Sequence, residues 1–365
     1  MGKSVAPWFL LVWLTGSGAF AQPASTVERG ELGGAHFRIE MPASWNGELV
    51  VYTHGYEMAD GKPFPFEGRT QTAIRDGFVS RGYAYLQSGY SKEGWAVQEG
   101  LADTEALRLQ FVAKHGAPKA TWITGHSMGG LLATLLLERQ PEVYSGGLAL
   151  CPVLAPAASF FESNFFDLFV AFDFLVGKKA GLAPVSDPKS APLDFKAVEA
   201  ALAANPAAAQ VLVSRFVIRN EDLPLILTFY QPIWQELVAR AGGIPVDNRN
   251  TLYAGFGDDV AFNRGVARVA GDPAAELYIK SYATPTGKLA DPLLVVHTTY
   301  DPIVPPMVAS VYDTLATLAG NKELVRYRFV AADGHCTISS DETQKAFGLL
   351  RGWVADGKAP AAGEL

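Results

Sequence analysis

Basic charge is what this 365-residue chain most conspicuously lacks. Its 30 Lys and Arg stand against 37 Asp and Glu, a formal net charge of −7. A nucleic-acid ligand needs a basic stripe to neutralise phosphates, and none is present. No run of five or six like charges forms a charged tail. The apolar stretch Ala6 to Leu14 is shorter than the ~20 residues that cross a bilayer, and no later segment reads as a membrane span. There is no H-x-x-x-H or C-x-x-C spacing for a metal, no G-x-G-x-x-G and no Walker motif. No metal or other cofactor is therefore expected. Cysteine is nearly absent: Cys151 and Cys336 are the whole complement.

The first residues read as a targeting segment. Lys3 supplies a positive start, Ala6 to Leu14 a short apolar stretch, and Ala19-Phe20-Ala21 an A-x-A cleavage site before Gln22. Residues 1–21 are thus expected to be a signal peptide of bacterial type, sending the mature chain to the periplasm or medium. No cysteine follows the cleavage site, so a lipid anchor is not expected.

The most informative stretch is Gly125-His126-Ser127-Met128-Gly129, a G-x-S-x-G pattern. A β-rich segment, Ala120 to Thr124, precedes it, and an apolar helix former, Gly130 to Arg139, follows. A serine on a sharp strand-to-helix turn stands clear of the sheet. The residues two before and two after then crowd neighbouring backbone, so glycine is required. The helix N-terminus offers free N–H groups to a developing oxyanion, that of Met128 first. His126 is expected to pack or hydrogen-bond beneath the turn.

Around this motif strands and helices alternate. Ala35–Met41 reads as an early antiparallel strand and Glu48–Thr53 as a buried one. A helix is expected over Thr70 to Arg81, a strand over Tyr83 to Gln87, and a helix over Trp95 to His115. That last helix should bury Ala96, Val97, Leu101, Ala106, Leu107 and Phe111 on one face. Further strands are expected at Gly147 to Leu150, Pro292 to His297 and Tyr327 to Val330. The pattern predicts an α/β fold with a mainly parallel central sheet flanked by helices. Between Pro152 and Asp291 the alternation fails in a long, helix-rich segment broken by prolines. One domain is expected, with a core over 22–151 and 291–365 and an insertion over 152–290.

These features together resemble the α/β-hydrolase superfamily, of the esterase and lipase kind. The resemblance implies a triad in the chain order serine, acid, histidine. Ser127 would be the nucleophile, Asp301 the acid that orients the imidazole, and His335 the base; both partners follow predicted strands. It also implies an oxyanion hole from the N–H groups of Met128 and Tyr56, because His54-Gly55-Tyr56 resembles the H-G-x of lipases. The insertion would be a helical cap over the site. The implied reaction is cleavage of a carboxylic ester through an acyl-enzyme, on a small-molecule substrate with an apolar or aromatic acyl group. Two alternatives remain open: a prolyl-oligopeptidase-like peptidase or amidase on the same scaffold, and a non-catalytic binding protein.

Tyr90 and Trp95, in a loop after a strand, could touch substrate or be structural. The insertion opens with Phe160, Phe161, Phe165, Phe166, Phe169, Phe172 and Phe174. They could form its own core, or some, Phe160 and Phe161 first, could line the acyl pocket. Cys151 ends a strand and Cys336 adjoins His335, so both should lie on the active rim. They are either two thiols or, given export, a disulfide pinning the histidine loop. Tannase-like and feruloyl-esterase-like hydrolases also carry Cys after the catalytic His. Their second Cys precedes the nucleophile, where this chain has His126.

Overall fold

The buried strands assemble into one sheet. A computed structural model describes residues 25–365; the signal peptide expected over 1–21 lies outside the described residues. Among these, nine strands run in the spatial order β1-β2-β4-β3-β5-β6-β7-β8-β9. They are β1 Thr26–Leu32, β2 Ala35–Met41, β3 Glu48–Thr53, β4 Ala84–Ser88, β5 Ala120–His126, β6 Gly146–Leu150, β7 Leu293–Tyr300, β8 Val325–Asp333 and β9 Gly363–Glu364. β1 and β2 pair antiparallel, as do β2 and β4; the pairs from β4 through β9 are parallel. The central strands are buried along nearly their whole length, as a sheet covered on both faces requires.

Helices cover both faces. On one lie α2 (Val97–His115) and α3 (Met128–Arg139), with the helix Pro306–Leu318. On the other lie α1 (Arg69–Val79) and the helix Ser340–Asp356, which packs Phe347 and Trp353 against the apolar cluster around Tyr52, Tyr85 and Leu148. Three expectations need correction. β1 was not anticipated: Thr-Val-Glu-Arg-Gly-Glu-Leu is charged and largely exposed at the sheet edge, where charge guards against further pairing. α2 begins at Val97, because Gly94 (φ +77°) turns the chain and Trp95 stands before the helix. Within α2, Ala106 is exposed and Thr104 takes the buried position.

Residues 152–290 leave the sheet after β6 and return at β7. They form helices Phe195–Ala204, Pro206–Phe216, Leu223–Ala241, Asp259–Gly265 and Pro273–Tyr282, after a helical segment over 157–180. That first segment contains two π-turns, Phe161–Phe166 and Asp173–Gly177. The apolar interior of the insertion is continuous with the α2–α3 face of the sheet, so the two share one core. Among the described residues no single helix is long and apolar enough to cross a membrane.

The helix Leu223–Ala241 is gripped by the sheet domain along its length. Just before it, the Arg219 N–H donates to the Tyr300 hydroxyl (3.0 Å), and the Arg219 guanidinium lies 3.9 Å from the Tyr300 ring centre. Arg219 also pairs with Asp333 (2.7 Å), and Tyr300 donates to Asp222 (2.5 Å). In mid-helix the Tyr230 hydroxyl donates to the Ile303 carbonyl. Near its end Glu236 accepts from the Trp95 N–H (2.9 Å), and Arg240 pairs with Glu99 (3.2 Å). Tyr300, Ile303 and Asp333 all flank the loops that carry Asp301 and His335.

Candidate active site

Ser127 sits between β5 and α3 with φ +56° and ψ −126°, a backbone conformation costing roughly 1–3 kcal/mol for a non-glycine residue. The surroundings hold it there. The Ser127 N–H donates to the Leu150 carbonyl (2.9 Å), and its own carbonyl accepts from Gly130 (2.9 Å). Gly125 and Gly129 are dictated by close approach. A Cβ on Gly125 would fall 2.4 Å from the Gly129 carbonyl oxygen; one on Gly129 would fall 2.2 Å from the Thr53 carbonyl oxygen. Both obstacles are backbone, so neither can rotate away. Gly129→Ala is expected to lower the melting temperature sharply or prevent soluble expression, since overpacking of this kind costs about 1–3 kcal/mol or more. A melting curve matching the parent's would refute this account of the turn.

Asp301 follows β7 and His335 follows β8. The adjacent parallel strands bring the two loops together, tied by the Gly334 N–H donating to the Tyr300 carbonyl (2.9 Å) and the Thr298 hydroxyl to the Gly334 carbonyl (3.1 Å). Asp301 is 2% exposed, and its Oδ1 accepts from the N–H groups of Ile303 and Val304, each at 2.9 Å. Its Oδ2 lies 2.7 Å from His335 Nδ1. A buried carboxylate can only accept, so Nδ1 carries the hydrogen. His335 Nε2 is then an acceptor, 2.8 Å from the Ser127 Oγ that donates to it. Serine, histidine and aspartate, 208 and 34 residues apart in sequence, form one hydrogen-bonded line.

The Met128 N–H opens α3 and the Tyr56 N–H belongs to the loop after β3. Neither donates to another backbone group among the described residues. The loop is braced from behind. His54 stacks between Phe64 and Tyr90 (ring centres 3.9 and 3.8 Å), and its Nδ1–H donates to the Gly55 carbonyl (2.7 Å). Burial pushes its ionisation down to about 3, so it is neutral.

A cleft of about 290 Å³ opens on Ser127 and His335. Trp95 and Phe160 line it, together with Tyr56, Phe165, Phe229, Ile233, Ile303 and Val304. Among the described residues lining it, none is a carboxylate, Lys or Arg. The π-turn over Phe161–Phe166 explains two of the rings. Residues five apart align in a π-turn but not in an α-helix, and Phe160 and Phe165 lie 5.3 Å apart on one face.

Two of the candidate substrate contacts pack away from the cleft. Tyr90 has φ +54°, which turns its ring inward onto His54; its hydroxyl donates to the His54 carbonyl (3.1 Å). Phe161 is fully buried one layer behind the cleft, edge-on to Trp95 at 4.9 Å. Most of the other opening phenylalanines, Phe166, Phe169 and Phe172 among them, are likewise core. His126, expected beneath the turn, lines the cleft. Phe229 and Ile233, one turn apart on the helix Leu223–Ala241, were not anticipated, although their i, i+4 spacing was there to be read. A larger hollow of about 520 Å³ lies on the other side of the His54 loop, lined by Glu57, Lys62, Phe64 and Glu93 among others, and does not include Ser127.

Cys151 and Cys336 are joined in a disulfide, their Cα atoms 5.4 Å apart across 185 residues of sequence. It ties the end of β6 to the residue after His335.

A family model described as the alpha/beta hydrolase fold matches residues 83–341. No curated protein matches the chain. Among solved structures it is similar to an esterase of Pyrococcus furiosus, at 13% identity and a TM-score of 0.41, covering 91% of this chain and 88% of that one. Est1E from Butyrivibrio proteoclasticus is 16% identical with a TM-score of 0.43, over 88% of this chain and 95% of that one. The acylaminoacyl peptidase of Pyrococcus horikoshii is 12% identical with a TM-score of 0.45, over 91% of this chain and 42% of that one. The family match runs from the start of β4 past the loop of His335, well over half of the sequence, and the chain belongs to the alpha/beta hydrolase fold family.

Proposed function

We propose that this protein is an exported serine hydrolase that cleaves carboxylic esters. The observation that carries the reading is the line Ser127 Oγ, His335 Nε2, His335 Nδ1, Asp301 Oδ2, at 2.8 and 2.7 Å. As Ser127 Oγ bonds to the ester carbon, its proton passes to His335 Nε2, and the carbonyl π pair moves onto oxygen. The N–H groups of Met128 and Tyr56 receive that oxyanion. Asp301 stabilises the imidazolium without taking the proton. When the carbon–oxygen bond to the alcohol breaks, the leaving oxygen takes the proton from Nε2. Water, deprotonated by the same nitrogen, then attacks the acyl-enzyme; as the bond between acyl carbon and Ser127 Oγ breaks, Oγ takes that proton back from Nε2 and the acid is freed.

Ester is favoured over peptide by the walls of the cleft. They are aromatic and aliphatic, with no lining carboxylate among the described residues to dock a peptide amine. An uncharged acyl group fits such a surface. The helix bearing Phe229 and Ile233 acts in this reading as part of a cap over the acyl group. Export rests on the targeting pattern of residues 1–21. The expected result is turnover of p-nitrophenyl esters of short or aromatic acids at least a hundredfold faster than of peptide p-nitroanilides, measured as kcat/KM. A reversed ratio would favour the peptidase.

A further inference from the structure

We propose that His126 contributes a third hydrogen-bond donor to the acyl oxygen, through an Nε2–H whose tautomer is set by Tyr52. The inference rests on the reading of Ser127 as nucleophile. His126 is the last residue of β5, and its ring lines the cleft. It stacks on Tyr52 with ring centres 5.8 Å apart, and Tyr52 stacks in turn on Tyr85 at 5.7 Å. The Tyr52 hydroxyl is hydrogen-bonded to His126 Nδ1. Tyr52 is fully buried, and His126 Nδ1 is the only hydrogen-bond partner of its hydroxyl among the described residues. If Nδ1 carried the ring hydrogen, the phenol hydrogen would be left without an acceptor in the core. The pair avoids this when the phenol donates to Nδ1, which places the imidazole hydrogen on Nε2.

Nε2 lies where a donor would be useful. A Cβ built on Gly55 would fall 3.2 Å from His126 Nε2 and 3.3 Å from Ser127 Cβ. Both atoms therefore lie beside Gly55, the residue before Tyr56, whose N–H is the proposed second oxyanion donor. Burial, reinforced by His335, holds the ionisation of His126 down at about 4, so the ring is neutral at ordinary pH. A neutral donor can polarise the carbonyl without opposing the positive charge that forms on His335 in the transition state.

The test compares side chains that put an N–H near one of the two ring-nitrogen positions, or near neither. His126→Gln can place an N–H near the Nε2 position; His126→Asn reaches only the Nδ1 position; His126→Phe keeps the ring alone. On p-nitrophenyl butyrate, Phe and Asn are expected to lower kcat about 10- to 100-fold with KM changed less than threefold, and Gln to recover most of the loss. Tyr52→Phe is expected to lower kcat severalfold in the parent and to have no further effect in His126→Gln. Melting temperatures identify any variant that has merely lost its fold. Phe, Asn and Gln variants all turning over within twofold of the parent would overturn the proposal, as would losses confined to KM. If Ser127→Ala is itself as active as the parent, the reading of the nucleophile fails and takes this inference with it. An inactive Ser127→Ala beside an unaffected His126→Phe removes the inference alone.

Discussion

Ser127→Ala is expected to fold as the parent does and to lose about 10⁵-fold or more of kcat on p-nitrophenyl butyrate. Nucleophile and base act as one unit, so removing either removes the acyl-enzyme route; losses of this kind reach about 10⁶-fold. The hydroxyl is the donor in the 2.8 Å bond to His335 Nε2, and no other serine or threonine hydroxyl contacts that nitrogen among the described residues. The proposed oxyanion donors, none of them on Ser127's side chain, survive the substitution, so a residue of activity from substrate binding should persist. The fold should be little affected, because alanine adopts the turn's φ of +56° no worse than serine does. A fluorophosphonate should label the parent and not the variant. Turnover within tenfold of the parent would end the proposed mechanism.

Replacing Cys151 and Cys336 together by serine is expected to lower both stability and activity. The bond closes a loop of 185 residues, for which the chain-entropy model gives roughly 5 kcal/mol. At about 2 °C per kcal/mol for a domain at the large end of the common range, the melting temperature should fall by roughly 10 °C. The effect on activity has a separate cause. Cys151 has φ +42° and Cys336 φ +54°, both in the region that disfavours side chains. The bond holds these two turns, and Cys336 adjoins His335. Once it is gone the 336 turn can relax, and His335 Nε2 drifts from Ser127. Reduction of the parent with dithiothreitol should reproduce the fall in kcat, reversibly on reoxidation. A double-serine variant with the parent's melting temperature and kcat would show that the bond does neither job.

The sheet was legible because its signals are local. Leu49 to Thr53, Gly147 to Leu150 and Leu293 to His297 are short apolar runs bounded by turn residues, and parallel strands covered on both faces leave no other pattern. The serine turn was legible because two backbone approaches under 2.5 Å leave only glycine at positions 125 and 129. Asp301 and His335 could be named because each follows a strand directly, and strand ends of one parallel sheet share a rim. The walls of the cleft were not legible to the same degree. Phe229 and Phe165 reach Ser127 only through the path of a 139-residue insertion, and no sequence spacing encodes that path. Phe160 and Phe165 share a face through a π-turn, which breaks the 3.6-residue period on which helix reading depends. The choice left open for Tyr90 falls to packing for a related reason: a left-handed backbone at one residue turns inward a side chain that sits, as expected, just past a strand.

The helix Leu223–Ala241 presents Phe229 and Ile233 to the cleft, while Tyr230 holds the carbonyl of Ile303, a residue whose own N–H is held by Asp301. In the proposed reading, the wall that meets the acyl group and the loop that carries the acid therefore share a single brace. Exchanging residues 219–241 for those of a homologue, in the hope of importing a new preference, would also withdraw the contacts on Tyr300, Ile303 and Asp333. Engineering for a different acid is better confined to the two side chains facing the lumen, leaving Arg219, Asp222 and Tyr230 untouched.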